Sequence, residues 1–270
     1  MLNKFNINQL IYYLTMPIVE IGNYYLFIKK IFRTKQNWFE MFHNTIDQMI
    51  KIGLTSMPIV MVTSLFSGMV ASANAAHQMS GSLSDLLGTS DYIGGIVGQS
   101  VLMELAPVIT GLVLSGRVGA TIASEIGSMK VTEQIDALES LSINSVSFLT
   151  VPRIVAGVIM FPLLIILADL CGIFGGYFSF SLDPANNPST YWISLREWEI
   201  PISDALLGLI KAVLFGMTIT SIACYYGFRT SQGAYGVGKS AAKTVVVSCV
   251  TLIIINFIVT VLYSKVKYLL

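Results

Sequence analysis

Charge is what this chain has least of. Asp, Glu, Lys and Arg make up 11% of its 270 residues, against 54% for the hydrophobic types. A soluble domain carries about 25% charged residues, so a water-facing surface over the whole chain is excluded and an integral membrane protein is indicated. The few charges nearly cancel, at a formal net +1, which leaves no basic footprint for nucleic acid. The three cysteines, Cys171, Cys224 and Cys249, lie far apart in apolar segments. They have neither disulfide nor metal-ligand spacing and read as small buried hydrophobes. Histidine occurs only as His43 and His77, with no partner at ligand spacing, so no metal site is expected. The N-terminus shows no short apolar core followed by a small-residue cleavage site, so no secretory signal is read there.

What the chain has instead is long apolar runs. A hydrocarbon core of about 30 Å needs about 20 such residues as a helix. Five stretches qualify: Ile52–Ala76, Tyr92–Leu114, Ile154–Phe178, Ala205–Tyr226 and Thr244–Tyr263. They are too long and too uniform for barrel strands. A sixth, Leu10–Phe32, contains Pro17, Glu20 and Asn23, clustered tyrosines, and Lys29 and Lys30 near its end. Aromatic and basic residues together favour a place along the membrane surface; the alternative is a sixth true span. The expected fold is all-α: an N-terminal interfacial region over 1–50, then five transmembrane helices over 52–263, in one domain spanning 1–270.

Basic residues set the orientation. Arg117, Lys130 and Arg153 fall in one connection, and Arg229, Lys239 and Lys243 in another. Both are expected in the cytoplasm, with the C-terminus, including Lys265 and Lys267, outside. The outer loop Leu182–Pro201 carries turn-forming Asp183-Pro184 and Asn187-Pro188, with Trp192 and Trp198 suited to a membrane surface.

Glu104, Asp169 and Lys211 lie in or near the spans. A central charge costs about 2.5–3.5 kcal/mol on the insertion scale, so each should face protein or water. They are candidates for a substrate pathway, with Lys211 drawing a lipid phosphate or pairing with Glu104. The alternative is an internal ion pair that fixes helix packing. Pro58, Pro107 and Pro162 can kink the spans. The spacings Gly94/Gly98 and Gly172/Gly176 allow close helix approach.

The stretch Gly233–Ser240, GAYGVGKS, satisfies the phosphate-loop pattern G-x-x-x-x-G-K-S. That site needs a strand before the loop and a parallel sheet around it, whereas membrane spans flank this one. We read it as a flexible loop whose glycines allow a tight turn, and expect no nucleotide there.

Between the second and third spans lies a polar segment. Ile135, Leu138 and Leu141 recur at three-residue spacing beside Glu133, Asp136 and Glu139, which predicts a short amphipathic helix. Such a helix, held between two spans, is suited to receiving force from a soluble partner.

The residues Glu104-Leu-Ala-Pro107, Ser115-Gly-Arg117-Val-Gly119, Ser124-Glu125-Ile-Gly127-Ser-Met129, Thr132-Glu133-Gln134-Ile-Asp136-Ala-Leu138, Pro152-Arg153, Ala168-Asp169 and Gly172-Ile-Phe-Gly175-Gly176, with Lys211 and Phe215-Gly216 further on, resemble the MlaE family of ABC-transporter permeases. The likeness covers most of the chain after Leu102. Met103 stands where some members have a basic residue, and Asn256 where some have an acidic one, so the family's ionic network is not carried over whole. The resemblance implies a multi-pass inner (plasma) membrane permease, without catalysis of its own, that moves phospholipid. It implies a homodimer, a cytoplasmic ABC ATPase holding the ATP and magnesium, an MCE-domain lipid-binding protein outside, and often a small accessory protein on the ATPase. Glu125, Met129, Thr132, Glu133, Gln134, Asp136, Leu138 and Glu139 would then couple to the ATPase. Other readings of the residues are an ion-coupled secondary transporter, a permease for another hydrophobic substrate, or a non-transporting anchor. The first would show inverted repeats and broken helices, and the sequence displays neither.

The orientation makes a direct prediction. A cysteine substituted for Lys130 should react with a membrane-impermeant maleimide only after the cells are opened; labelling of intact cells would reverse the topology.

Overall fold

The computed structural model describes residues 7–32, 38–79, 92–183, 187–231 and 233–269. Among these there is no strand. The elements are α1 (Ile7–Phe32), α2 (Trp38–Gly53), α3 (Met57–Met79), α4 (Ile93–Val131), α5 (Gln134–Ser140), α6 (Ser145–Ser181), α7 (Pro188–Glu197), α8 (Ile202–Phe228) and α9 (Gly233–Leu269). The helices α3, α4, α6, α8 and α9 are long and apolar enough to cross a membrane. The five expected spans are therefore present.

The first span begins later than expected, at Met57 rather than Ile52, because Ile52 and Gly53 close α2 and a turn at 54–56 separates it from α3; three other ends run past the expected ones. The second span reaches Val131 rather than Leu114, the third begins at Ser145 rather than Ile154, and the fifth begins at Gly233 rather than Thr244. Apolar patterning marks the part of a helix that sits in hydrocarbon. The backbone ladder satisfies itself, so a helix continues into water wherever no residue stops it. At about 1.5 Å per residue, the 39 residues of α4 extend roughly 58 Å, almost twice the hydrocarbon thickness. The loop expected over Gly233–Ser240 is likewise helical, forming the first two turns of α9. Of its glycines only Gly233 has a positive φ, +61°, where a side chain would be strained. Part of the loop expected over Leu182–Pro201 is α7, whose N-cap Asn187 accepts from Ser189 N–H at 3.2 Å. Pro58 lies in the first turn of α3, where its missing N–H costs nothing. Pro162 lies inside α6, which stays helical through it.

The contacts give the order in space. Gly68 of α3 meets Gly172 of α6, and Gly157 of α6 meets Gly216 and Thr220 of α8. Leu102 and Ile126 of α4 meet Gly208 and Gly227 of α8. Ser115 of α4 meets Cys249 of α9, and Glu104 meets Thr260. So α3 and α6 run parallel, α4 and α8 run parallel to each other, and α9 is antiparallel to α4. One end of the bundle carries Arg117, Lys130, Arg153, Arg229 and Lys243; we call it the basic end. The core includes Leu114, Ile126, Phe161, Ile165, Phe215 and Ile219, all almost fully buried. Gly94 and Gly95 let α7 lie directly on α4, facing the Tyr191 backbone and the Trp198 ring. Both glycine pairs noted in the sequence are thus packing contacts.

The C-terminal half of α1 lies across the basic end. Glu20 bonds Tyr225, Arg229 and Lys243, and the Ile31 carbonyl accepts from Ser147 at 3.4 Å. Those two points are about 16 Å apart along the helix, yet both touch the same end of the bundle, so α1 follows the surface as its composition predicts. Partial burial pushes the Glu20 carboxyl up, but hydrogen bonds from Lys243 and Tyr225 and the charges of Lys243 and Arg229 outweigh it and hold it below the usual carboxylate range.

At Gly68 an added Cβ would run into the Gly172 carbonyl. Overpacking costs about 1–3 kcal/mol, so Gly68→Val should lower the melting temperature of the purified protein by several degrees. Gly238→Ala, with open space around it, should not.

Candidate functional site

The charge inside the bundle is built around one backbone defect. Pro107 has no N–H to give to the carbonyl of Met103, four residues earlier. Just before it α4 widens into a π-helical turn over Val101–Leu105, which carries Glu104. Lys211 of α8 fills the gap. Its Nζ donates to the Met103 carbonyl at 3.0 Å and to Glu104 Oε1 at 2.5 Å. Thr260 Oγ1 donates to the same oxygen at 2.8 Å, and Asn256 Nδ2 donates to Glu104 Oε2 at 3.0 Å. The Lys211 side chain is 0% exposed and that of Glu104 is 37% exposed. The lysine is therefore a buried support, and the carboxylate faces outward between α4 and α9. An acid at position 256 would put a second negative charge against Glu104. An amide donates instead, so one lysine suffices to balance the site.

Asp169, the third candidate, is not part of this network. It sits on α6, and its Oδ1 is buried without a hydrogen-bond partner among the described residues. Sequence reading also missed a cluster at the opposite end from the basic one. Asp204, 0% exposed, accepts from Gln99 at 2.8 Å, from Lys267 at 3.1 Å and from Tyr263. Trp198 Nε1 donates to Gln99 at 2.8 Å. This explains Lys267 past the apolar run that ends at Tyr263: it neutralises a buried aspartate. A pairing 63 residues apart leaves no periodic signal in a sequence.

At the basic end, the segment between α4 and α6 is fastened at its base. Glu125 Oε2 meets the Arg153 guanidinium at 3.2 Å, with Lys51 at 4.0 Å from Oε1. Arg153 is itself buried and donates to the Leu149 carbonyl at 2.8 Å. Glu139 accepts from Ser145 at 2.7 Å. Between these ties the chain makes a tight corner. Thr132 closes α4 with a 2.9 Å bond to the Ser128 carbonyl, Glu133 adopts a left-handed φ of 60°, and Gln134 opens α5. Lys130 and Asp136 pair across the corner at 2.7 Å.

The amphipathic helix is present but turned differently from the three-residue reading. Ile135 is buried, Leu138 and Met129 pack half-buried against the core, and Leu141 is 70% exposed. Leu141 lies past the end of α5, so helical spacing does not carry it to the buried side. The outward surface is thus Glu133, Gln134, Asp136, Glu139 and Leu141, with Val131 and Ile143 at its edges. It is acidic with apolar points, on a rigid base.

The profile described as Permease MlaE matches residues 45–262. A probable ABC transporter permease protein of Rickettsia bellii is 39% identical over 221 residues, covering 82% of this chain and 83% of the relative. One of Synechocystis is 38% identical, covering 79% of each. The intermembrane phospholipid transport system permease protein MlaE of Haemophilus influenzae is 32% identical, covering 80% of each. With five membrane-spanning helices and a fastened polar corner between two of them, this chain belongs to the MlaE family of ABC-transporter permeases.

Proposed function

We propose that the chain is the membrane subunit of a phospholipid transporter whose motor is a separate ATPase at the basic end. Carrying this reading is the fastened corner from Glu125 to Ser145. Its acidic, partly apolar outer face is exposed, while its base is tied to the core through Arg153 and Ser145. A partner that pulls on it moves α4 and α6 together. The ATPase holds the ATP and magnesium, and a small accessory protein binds that ATPase. The basic end faces the cytoplasm of the inner membrane.

Phospholipid as substrate rests on the name of the Haemophilus relative, an intermembrane phospholipid transport permease, and on the site itself. Glu104 is half-exposed between α4 and α9, beside apolar side chains of α9 that face outward, including Ile253 and Phe257. A second copy of the chain against that face encloses an apolar space with a polar point at mid-depth, which suits an acyl chain and a headgroup. An MCE-domain protein on the outer side receives or supplies the lipid. A ligand can drive the change only by the difference in its affinity for the two permease states, so coupling depends on contacts that differ between them.

Two experiments test this. Glu133→Lys with Asp136→Lys reverses the outer face while breaking only an exposed ion pair, worth at most about 1 kcal/mol. Membrane insertion should be unchanged, and ATPase stimulation and lipid transfer by the reconstituted complex should fall at least tenfold; survival of both activities would remove the coupling assignment. Lys211→Met leaves Glu104 without its cation. Breaking such a buried pair costs about 3–5 kcal/mol, here near the lower figure because Glu104 is partly exposed. Glu104→Gln with Lys211→Met should recover the melting temperature but not lipid transfer. If it recovers both, the pair is packing support and not pathway.

A further inference from the structure

The basic end holds a cavity that the transport reading does not use. It is a cleft of about 570 Å³ between α2, the turn after it and the lower part of α4, lined by Lys51, Ser56, Arg117 and Glu125 among others. Three of these point to a ligand. Arg117 is exposed on the π-helical turn Ser115–Gly119, and no described residue pairs with its guanidinium. Lys51 is 60% exposed and has only the 4.0 Å approach to Glu125, which Arg153 already holds at 3.2 Å. Ser56 is 0% exposed, yet its Oγ has no hydrogen-bond partner among the described residues. A buried hydroxyl left unbonded costs about 1–3 kcal/mol, and an acceptor in the cleft would satisfy it.

The depth of the cleft follows from α2. Phe42, Ile46, Ile50 and Leu54 recur every four residues at α2 and the turn after it, all exposed at 38–68%, while Thr45 and Ile52 turn inward. That stripe is an apolar face left uncovered by the described residues, adjoining a basic side chain. It is the pattern of a helix seated at the boundary of headgroups and acyl chains. Arg117 begins where the apolar run of α4 ends, at Leu114. The cleft therefore opens at headgroup level.

We propose that this cleft binds a phosphate group, and that the phosphate is the headgroup of an anionic lipid in the leaflet at the basic end. Arg117 and Lys51 supply charge, Ser56 donates from the floor, and the α2 stripe packs against the acyl chains. Glu125 gives selectivity: its charge is matched by Arg153, so it does not repel a phosphate outright, but it disfavours a ligand bearing a second negative group beside the first. The lipid would brace α2 against α4 at the point where α4 is tied to α6, independently of which substrate crosses the bundle.

The test is photo-crosslinking of the purified, membrane-reconstituted protein. Phosphatidylglycerol carrying a photoreactive acyl chain is diluted into phosphatidylcholine nanodiscs, and adducts are mapped by peptide mass spectrometry. Each basic residue near an anionic surface contributes about fivefold. Adducts on residues 45–56 and 116–125 should therefore drop about 25-fold in Lys51→Gln with Arg117→Gln. They should drop severalfold in Ser56→Ala and be largely kept in Arg117→Lys with an unchanged melting temperature. Equal labelling of wild type and the double variant, or equal labelling by the phosphatidylcholine analogue, would overturn the proposal. Loss of adducts in 10 mM inorganic phosphate at constant ionic strength would assign the cleft to the free anion and overturn the lipid source. Because the readout is an adduct and not transport, its failure leaves the transport reading untouched, and the reverse holds as well.

Discussion

The contact between Lys211 and Glu104 is the constraint around which the bundle is arranged. A lysine with no exposed surface inside a membrane protein is costly unless its ammonium is paired with a charge and hydrogen-bonded. Here one bond goes to a carboxylate and one to the carbonyl that Pro107 leaves without its ladder partner. The proline, the π-helical turn and the lysine therefore form one unit. Asn256 and Thr260 extend it to α9, so three helices meet at one carboxylate. Glycine contacts let the backbones come close enough for that meeting: α4 against α8 at Gly208, α6 against α8 at Gly157 and Gly216.

Polar anchors of the same kind recur at both ends of the bundle. Glu125 and Arg153 join α4 to α6 at the basic end, and Asp204 with Gln99, Tyr263 and Lys267 joins α4, α8 and α9 at the other. In hydrocarbon there is little hydrophobic drive between helices, and packing with a few hydrogen bonds must hold them. The anchors lie at different depths along α4. They leave the outer surfaces of α3, α6 and α9 apolar, as contact with lipid or another copy requires.

The five crossings were legible because hydropathy over twenty residues is a strong, local signal. Helix ends were not, because Ala120–Val131 and Ser145–Pro152 continue their helices outside the apolar window and nothing in their hydropathy says so. The amphipathic reading of 135–141 placed Ile135 and Leu138 correctly and misplaced Leu141, which lies beyond the last helical turn. Glu104 and Lys211 stood out as charges in apolar runs, and their pairing was one of two options the residues left open. Asp169 stood out for the same reason and joins no network among the described residues. Asn256 stood out only through the family resemblance, and Thr260, Gln99 and Asp204 gave no signal, since a polar residue at a span's edge is unremarkable until its distant partner is known. The glycine-rich GAYGVGKS stretch looked like a turn by composition, but only Gly233 uses the freedom a glycine has.

One consequence lies in the continuity of α4. A single helix touches Trp198 near one face of the membrane and Arg153, through Glu125, near the other. The two faces thus share a beam. By thermodynamic linkage, whatever favours one setting of its upper end must itself be held more or less tightly according to what grips the lower end. Ligands or partners at the two ends would then report on each other's occupancy through this helix, with no contact between them.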